Sequence, residues 1–412
     1  MEKVSAMKSN PKSRTFLLLL LPLLAAVPMD LSAVESADFS GSLENLVSAF
    51  PEPLTSEKLY GVGRQTLRLQ GRLEATKSVL MVGTWELSAR IFPPDLSETG
   101  LLSEAPVTSF RARDLPRRLW PLRDEEVGNM GVYQNLDRLY ASIYLPLGDL
   151  YIGRQAISLG TAMFVNPLDV FSSTESAVSG ESARIGVDAL RFRAPLGLMG
   201  ELDAAYVAGE DMGLEKSVLF TRLQIYLYST DVTLLAMKYQ EDLLLGTGVT
   251  RAIGGAGTWF EGALRLPGLL SSGSPEDGDP QLSLSAGAEH SFGPKFYLSG
   301  EYHFNSAGVR DPADYSQAPA PTYLRGRHYL SMGAEYRLGP LSPLSTQLIW
   351  NMGDPSAILS LSLEHGLGQN LFLTGAAVLG LGEEPEAAAP LIYRSEFGAV
   401  FDQIFVAVEY FF

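Results

Sequence analysis

The strongest constraint on this chain is an alternation of apolar and polar residues that recurs along most of its length. Leu282, Leu284 and Ala286 stand at every second position, with Ser283 and Ser285 between them. Successive side chains of a β-strand point to opposite faces, so such a segment makes one apolar and one polar face. Beyond residue 33 no apolar run reaches about 18 residues, the length typical of a membrane-spanning helix. The alternation therefore favours strands whose two faces meet different solvents.

The alternation predicts about 18 strands, with 16 as the alternative count, and even numbers are typical of bacterial transmembrane barrels. We read 391–412 as one strand, because an even count places both termini on the same side of the membrane. The predicted strands lie near 38–49, 61–75, 78–91, 132–145, 149–158, 183–194, 199–208, 217–229, 231–239, 243–252, 256–266, 280–291, 295–305, 327–338, 344–352, 356–366 and 369–380, with a last one that ends at Phe412. The inner or outer phase of 151–157 and 247–252 cannot be assigned from the pattern.

The connections between these segments alternate in length. Short turns, such as those near 146–148 and 366–369, separate longer polar links, such as 93–130 and 161–182. Short periplasmic turns and long outer loops are typical of a transmembrane barrel, whereas a soluble β-sandwich does not sort its loops by side. The sequence therefore predicts an all-β fold, a single transmembrane antiparallel β-barrel with short periplasmic turns and long outer loops.

The amino-terminal residues have the pattern of an export signal. Lys3, Lys8, Lys12 and Arg14 precede a short apolar stretch at 16–27. A basic start, a short apolar centre and small residues after it are typical of a secretory signal peptide. We predict cleavage after residue 33, with 37 as the alternative, so that 1–33 is the signal peptide and 34–412 the barrel. The predicted location is the bacterial outer membrane.

Composition argues against several classes of function. The chain has 31 basic and 47 acidic residues, and its net charge of −16 becomes −18 once the first 33 residues, with four basic and two acidic groups, are removed. An acidic protein of this kind is a poor partner for nucleic acid. It has no cysteine, and its four histidines show neither an HExxH motif nor paired spacing. We expect no metal, no cofactor and no enzymatic activity.

The last strand alternates up to the final residue. Ile404, Val406, Val408, Tyr410 and Phe412 put an apolar side chain at every second position. This ending resembles the closing strand of bacterial outer-membrane barrels, in which it is the signal read by the barrel-assembly machinery. The resemblance implies that Tyr410 and Phe412 form that signal here. The alternative is the last strand of a soluble sandwich.

The polar face of the strands supplies the candidate pore lining. A barrel of 16 to 18 strands encloses more space than side chains fill, so its inner face lines water. The candidates carry both signs of charge, so neither anion nor cation preference follows from them, and each is also explained by simple solvation. They are Arg68, Arg72, Glu86, Arg138, Glu201, Asp203, Arg222, Arg265, Glu301, Glu335 and Arg337.

Four motifs in the first half carry a resemblance to a known group. They are Asn-Leu-Asp-Arg-Leu at 135–139, Gly-Arg-Gln-Ala-Ile-Ser-Leu-Gly at 153–160, Asn-Pro-Leu-Asp-Val-Phe at 166–171 and Gly-Val-Asp-Ala-Leu-Arg at 186–191. Together they resemble porin-like Gram-negative outer-membrane barrels. The Gly-Arg-Gln element followed by Val-Asp-Ala-Leu-Arg is also similar to alginate-type export barrels. In the porin-like group a Trp usually precedes the glycine that matches Gly160, and this chain has Leu159 in its place. The resemblance implies passage of small solutes and names no substrate.

The same region offers a candidate constriction. Arg154 and Gln155 lie at a strand end, from which they can fold inward and hydrogen-bond the link 161–182, drawing it into the bore. Asn166 and Asp169 belong to that link, and their side chains also suit the turns of a plain surface loop. Both interpretations of the link stay open at this stage.

The sequence therefore predicts an outer-membrane channel for passive diffusion of small hydrophilic solutes. Two alternatives remain: an export conduit for an acidic polysaccharide, expected to have a lumen rich in Arg and Lys, and a non-conducting structural or adhesion barrel. The expected partners are outer-membrane lipid and lipopolysaccharide, the barrel-assembly machinery and the solutes, with no nucleic acid. Homo-oligomerisation is left open.

Overall fold

The computed structural model describes residues 35–51, 58–93, 108–122, 125, 127–171, 184–271, 278–317, 324–386 and 392–412. The predicted signal peptide, 1–33, lies outside the described residues. Within the described ranges the chain is almost entirely β-structure, with four short 3₁₀ segments in the connections. No helix of this part of the chain is long and apolar enough to cross a membrane.

Eighteen long strands in the described ranges pair in chain order, every neighbour antiparallel, and one three-residue strand pairs beside them. The strands are β1 Ser36–Pro51, β2 Leu59–Thr76, β3 Val79–Ile91, β4 Arg118–Trp120 (the short one), β5 Met130–Leu145, β6 Gly148–Ala156, β7 Gly186–Leu196, β8 Gly200–Val207, β9 Val218–Leu227, β10 Thr230–Tyr239, β11 Asp242–Ile253, β12 Ala256–Leu266, β13 Gln281–Phe292, β14 Phe296–Asn305, β15 His328–Gly339, β16 Ser342–Asn351, β17 Ser356–Gly366, β18 Leu371–Leu381 and β19 Gln403–Phe411.

The barrel closes between its first and last strands. β19 pairs with β18 on one side and with β1 on the other, from Ser42 opposite Phe411 to Ala49 opposite Ile404. Phe412 and Gly41 then exchange two backbone hydrogen bonds of 2.9 Å. Closure leaves no open sheet edge, which is the condition for a β-structure to sit in hydrocarbon. The predicted single antiparallel barrel of about 18 strands is confirmed.

Connection lengths differ between the two ends of the barrel, as predicted, apart from two tight links at the end with the longer connections, 240–241 and 352–355. One end carries the turns 77–78, 146–147, 197–199, 228–229, 254–255, 293–295, 340–341 and 367–370. The other end carries 52–58, 92–129, 157–185, 208–217, 240–241, 267–280, 306–327, 352–355 and 382–402. Of the region 391–412, β19 is the one barrel strand, and 392–402 belongs to the last long connection. We call the two ends the turn end and the loop end.

The two faces of each strand differ as the alternation predicts. On β17 Leu361 and Leu363 are exposed on the outside of the barrel, whereas Ser360, Ser362 and Glu364 line the interior. Pairing registers carry the same phase from strand to strand, since Ser345 lies opposite Ser362. An apolar outer belt and a polar interior follow directly from the period of two.

One irregularity places two charged neighbours on the inner face. The register between β3 and β5 shifts by one residue, so that Thr84 faces Arg138 while Trp85 faces Leu136. The residue between them, Asp137, reaches Arg68 of β2 at 3.1 Å. A bulge of this kind re-aims side chains that strict alternation would send to opposite faces.

Candidate functional site: the barrel lumen

The connection after β6 folds into the barrel and is held there by a carboxylate from the wall. We call its described part, 157–171, the inner loop. Glu261 on β12 accepts hydrogen bonds from the backbone N–H of Thr161, from the Thr161 hydroxyl at 2.8 Å and from the backbone N–H of Ala162 at 3.0 Å. The Glu261 carboxylate therefore binds the inner loop mainly through backbone N–H donors, together with one hydroxyl.

A second carboxylate continues this arrangement along the inner loop. Glu301 on β14 accepts from the backbone N–H groups of Met163 at 2.9 Å, Phe164 at 3.3 Å and Val165 at 2.8 Å. The indole N–H of Trp259 donates to the same carboxylate at 2.8 Å. Glu261 and Glu301 are fully buried. Charge-assisted hydrogen bonds are about twice as strong as neutral ones, so these two side chains fix the inner loop.

Apolar packing holds the other side of the inner loop. Leu168 is fully buried, and a Cβ on Gly246 of β11 would stand 2.3 Å from its Cδ2 atom, so a side chain there would displace Leu168. We call the group around it the first apolar cluster. Its members are Phe110, Ile157, Leu159, Leu168, Phe171, Val187, Ala189, Ala205, Val207, Val218, Phe220, Leu235, Met237, Tyr239, Leu244 and Ala263. One sector of the lumen, between β7 and β12, is thus filled by side chains rather than water.

A second apolar cluster closes part of the opposite sector near the loop end. It contains Val165, Leu324, Tyr329, Ile349, Ile358, Val378 and Phe397. Residues 395–400 of the last long connection reach it beside a buried polar group. Glu396 accepts from the Tyr329 hydroxyl, from Asn351 Nδ2 at 2.7 Å and from the backbone N–H of Arg325 at 2.5 Å. Burial raises the pKa of Glu396, because the charged form loses water.

The described segment 108–114 of the connection 92–129 contacts the barrel wall through a buried charge network. Arg154 donates to Asp188 at 2.8 Å, to Asp114 at 2.8 Å and to two backbone carbonyls. Arg111 donates to the Gly186 carbonyl at 3.0 Å and to Asp114 at 2.7 Å. Burial acts to raise the pKa of Asp114, but the hydrogen bonds and charges of the two arginines outweigh it and hold that pKa below its ordinary value.

Arginines line the inner face of the strands from β2 to β12, and acidic side chains neutralise them. Arg191 reaches Asp203 at 2.7 Å, and Arg222 reaches both Asp203 and Glu201 at 3.0 Å. Arg193 also pairs with Glu201. The same pattern continues in the pairs Arg64–Glu44, Arg68–Glu86, Arg68–Asp137, Arg72–Glu74, Arg138–Asp137 and Arg265–Asp242. We call this surface the arginine wall.

The facing surface, from β13 through β19, carries mainly hydroxyl and amide groups. Among the described residues, the side chains that line open space there include Gln281, Ser283, Ser345, Gln347, Ser360, Ser362, Thr374 and Gln403. We call it the hydroxyl wall. Between the two walls and the inner loop lies a cavity of about 1680 Å³. A volume of this size has room for water and small polar molecules, and neutral hydrogen-bonding groups line much of it.

The candidate pore-lining residues do not all occupy open space. Arg265 and Glu335 line the cavity, whereas Asp203 and Glu301 are buried against partners. Arg337 pairs with Glu335 at 3.1 Å. Arg68, Arg72, Glu86, Arg138, Glu201 and Arg222 belong to the ion pairs of the arginine wall. Their shared inner face follows from the pairing register, and their effect on solutes stays a prediction.

The candidate constriction residues contribute in a different way from the one expected. The hydrogen bonds of Arg154 go to Asp114, Asp188 and carbonyls of neighbouring segments, and those of Gln155 to the Gly153 and Ala189 carbonyls. Asn166 Oδ1 accepts from the backbone N–H of residues 168 and 169, and Asp169 accepts from that of 171. Asn166 and Asp169 thus shape turns in the inner loop, while the wall carboxylates anchor it.

The terminal aromatic pair lies on the closing strand. The rings of Tyr410 and Phe412 are stacked with centroids 6.3 Å apart, and both side chains are about half exposed. The Phe412 ring covers Gly41, where an added Cβ would stand 2.6 Å from its Cζ atom. Their predicted role as an assembly signal is a separate matter from this packing and stays a prediction.

Sequence reasoning missed the apolar filling of the barrel. The signal was present on β10, where Val232, Leu234, Leu235, Ala236 and Met237 make a nearly continuous apolar run. A strand that is apolar on both faces is covered on both sides. The phase of 247–252 is hard to read because Gly248, which lies opposite the inward Glu261, has no side chain to mark its face. The anchors of the inner loop, by contrast, have no local sequence pattern.

Comparison with known proteins identifies the architecture. No family model and no curated protein matches the sequence. Solved structures do match. OccAB4 of Acinetobacter baumannii superposes with a TM-score of 0.56 at 10% identity, over 93% of this chain and 99% of that one. OccK2 (OpdF) of Pseudomonas aeruginosa, solved in complex with glucuronate, gives 0.55 at 11% identity, over 92% and 96%. OccK5 (OpdH) of the same organism gives 0.56 at 11%, over 91% and 98%. The chain has the fold of outer-membrane porins.

Proposed function

We propose that this protein is an outer-membrane channel that lets small hydrophilic solutes diffuse passively. The observation that carries the proposal is the cavity of about 1680 Å³ inside a closed barrel, lined by hydroxyl, amide and charged groups. The apolar outer belt of such a barrel faces hydrocarbon, and its polar interior is closed off from the hydrocarbon and can be filled by water. The mechanism is filtration: solutes pass between the inner loop and the two walls, and hydrogen-bonding groups replace part of their hydration.

The proposal includes the setting of the channel. The signal peptide at 1–33 directs export, and the strand that ends in Tyr410 and Phe412 is read by the barrel-assembly machinery. The exposed apolar belt, with residues such as Leu361 and Val406, meets outer-membrane lipid. The connections at the loop end face lipopolysaccharide. We propose no enzymatic role and no cofactor, and leave the oligomeric state to experiment.

The two alternatives fit the interior less well. A conduit for an acidic polysaccharide needs a lumen in which Arg and Lys are free to contact the polymer, but Arg191, Arg193 and Arg222 are committed to Asp203 and Glu201. A purely structural barrel has no need of a polar cavity of this size. Passive diffusion accounts for both the cavity and the inner loop that narrows it.

Liposome swelling with the purified, refolded full-length mature protein tests the proposal. Swelling in isotonic solutions of small sugars and amino acids, at rates that fall with solute size, is the expected result. Planar-bilayer recording of the same preparation should give discrete conductance steps. Folded protein is identified by its heat-modifiable migration on a gel. If folded protein in bilayers gives no steps at any voltage and no swelling, the channel proposal is refuted in favour of a closed structural barrel.

A further inference from the structure

We propose that this channel favours cationic and neutral polar solutes over anions of similar size; the inference rests on the proposed channel function. The charges of the lumen are not spread evenly over its surface. Arginines are concentrated on the arginine wall, and free space lies mainly against the hydroxyl wall. What a passing ion meets is therefore decided by which charges remain uncompensated where the bore is open.

The arginine wall contributes little positive charge to the open space. Each arginine of the ion pairs given above has a carboxylate within 4 Å. Of the other arginines in the described residues on this side, Arg90 lies over the ring of Tyr133 at 4.8 Å, and Arg184 lines the cavity. The field of a guanidinium paired with a carboxylate is largely cancelled by the partner charge. At each pair, an incoming carboxylate would have to displace the existing partner.

Among the described residues that line the cavity, carboxylates outnumber arginines: Glu44, Asp169, Glu335, Glu364 and Glu409 stand against Arg64, Arg184 and Arg265. Glu335, Glu364 and Glu409 line the cavity from β15, β17 and β19, and Glu44 lies opposite Glu409 on β1. On the inner faces of β13 to β19, Arg337 is the arginine within the described residues, and it pairs with Glu335. Glu364 is exposed to the cavity. At physiological ionic strength charges are screened over about 8 Å, so a solute beside this wall responds to these carboxylates first.

The neutral part of the hydroxyl wall extends the preference to uncharged solutes. Ser345 faces Ser362, and Gln347 faces Ser360, so two rows of neutral donors and acceptors cross neighbouring strands. Such rows can exchange hydrogen bonds with hydroxyl or ammonium groups of a solute without a change of charge. The carboxylates that line the cavity then add attraction for cations and repulsion for anions, the principle by which carboxylate-lined pores select cations.

Two measurements on the full-length mature protein test the inference. In planar bilayers under a KCl gradient, the reversal potential should have the sign of K⁺ selectivity. In liposome swelling, glucosamine and glucose should enter faster than glucuronate, three solutes of nearly equal size that differ in charge. Glu364→Gln should move the reversal potential toward zero, and Glu215→Gln, on the exposed surface between β8 and β9 and outside the cavity lining, should leave it unchanged.

The outcomes separate the inference from the proposed function. If conductance steps appear but select Cl⁻, or glucuronate outpaces glucose, the charge preference is wrong and the channel stands. If folded protein gives neither steps nor swelling, the channel function itself fails. Should Glu364→Gln not fold, as judged by gel migration, the wild-type reversal potential and the three-solute comparison still decide. A Glu201→Gln variant adds a reverse test, because loss of this partner of Arg193 and Arg222 should shift selectivity toward anions.

Discussion

At the residue scale, buried carboxylates hold segments in the lumen by accepting hydrogen bonds from backbone N–H groups. Glu301 and Glu261 do so for the inner loop, and Glu396 does so for residue 325. A carboxylate has room for about four such donors, more than any other side chain. Asp114 uses the same capacity for arginines. Single acidic side chains thus decide where long connections lie.

We expect Glu301→Ala to widen the channel. The change removes the acceptor of three inner-loop N–H groups and of the Trp259 indole, and each hydrogen bond to a charged group is worth about 1.5–3 kcal/mol. Larger single-channel conductance and more open-channel noise are the expected result. The control is Glu289→Gln, which alters an inward carboxylate bonded to Tyr297 rather than to the inner loop. Equal conductance in Glu301→Ala and wild type would contradict this role.

Acid should loosen the segment 108–114. The folded-state pKa of Asp114 is lowered, so its ionised form stabilises the fold above the ordinary value of 3.8, and that stability is lost as the pH falls through the folded pKa. Relative to the intrinsic exchange rate at each pH, backbone amides of this segment should lose protection from deuterium exchange as the pH falls below about 3.8. Asp114→Asn should show the lower protection already at pH 7. Unchanged protection in both cases would show that the ion pairs do not hold the segment.

At the element scale, strands β8 to β11 serve two environments at once. Their outer faces meet lipid, while near the loop end their inner faces carry Ala205, Val207, Phe220 and Met237 of the first apolar cluster. Nearer the turn end the inner positions return to charge, as Arg222 shows. The inner loop therefore packs on an apolar surface on one side and is hydrogen-bonded to the carboxylates of Glu261 and Glu301 on the other.

Leu168→Ala should free the inner loop from its apolar seat. Leu168 is completely buried, and truncation of a buried leucine costs about 2–5 kcal/mol through lost contacts and the cavity left behind. The expected result is earlier cleavage of the inner loop by added protease, with an intact barrel on a gel. Leu298→Ala, on the exposed outer face of β14, is the matched control. If both variants resist protease equally, the seat is not what holds the loop.

At the scale of the whole molecule, the closed barrel separates the lipid outside from the aqueous interior. β1 and β19 pair along eight registered positions, and every barrel strand has a neighbour on each side. A closed wall satisfies its own backbone hydrogen bonds, so the outer surface can be apolar and the inner surface polar without a break. The proposed charge preference therefore depends on both walls together, since the charges of both act on the same bore.

Two neighbouring positions on β17 test which face meets lipid. Leu361 is exposed outside, and Ser362 lines the cavity. Leu361→Arg should lower the free energy of unfolding in lipid by about 2–4 kcal/mol, the cost of a basic side chain near the membrane midplane. Ser362→Arg should leave folding nearly unchanged and reduce conductance. Reversible denaturant unfolding in liposomes measures the first effect. A larger folding cost for Ser362→Arg than for Leu361→Arg would invert the assigned faces.

The sequence by itself determined the barrel. A period of two, repeated in eighteen segments with sorted loop lengths, is a local property, and closure follows from it because an open edge cannot survive in hydrocarbon. It also placed residues such as Arg68 and Glu335 on the inner face.

Only the tertiary structure decided what the interior does. Three facts could not be predicted from the sequence. Glu301 anchors a loop about 140 residues earlier in the chain, Leu168 packs on Gly246, and the arginines of the inner face are paired with carboxylates. Those facts depend on the register around the whole barrel and on loops that cross it. The alternation predicts whether a side chain points into or out of the barrel. Its contacts inside the barrel depend on which strands and loops the fold brings close to it.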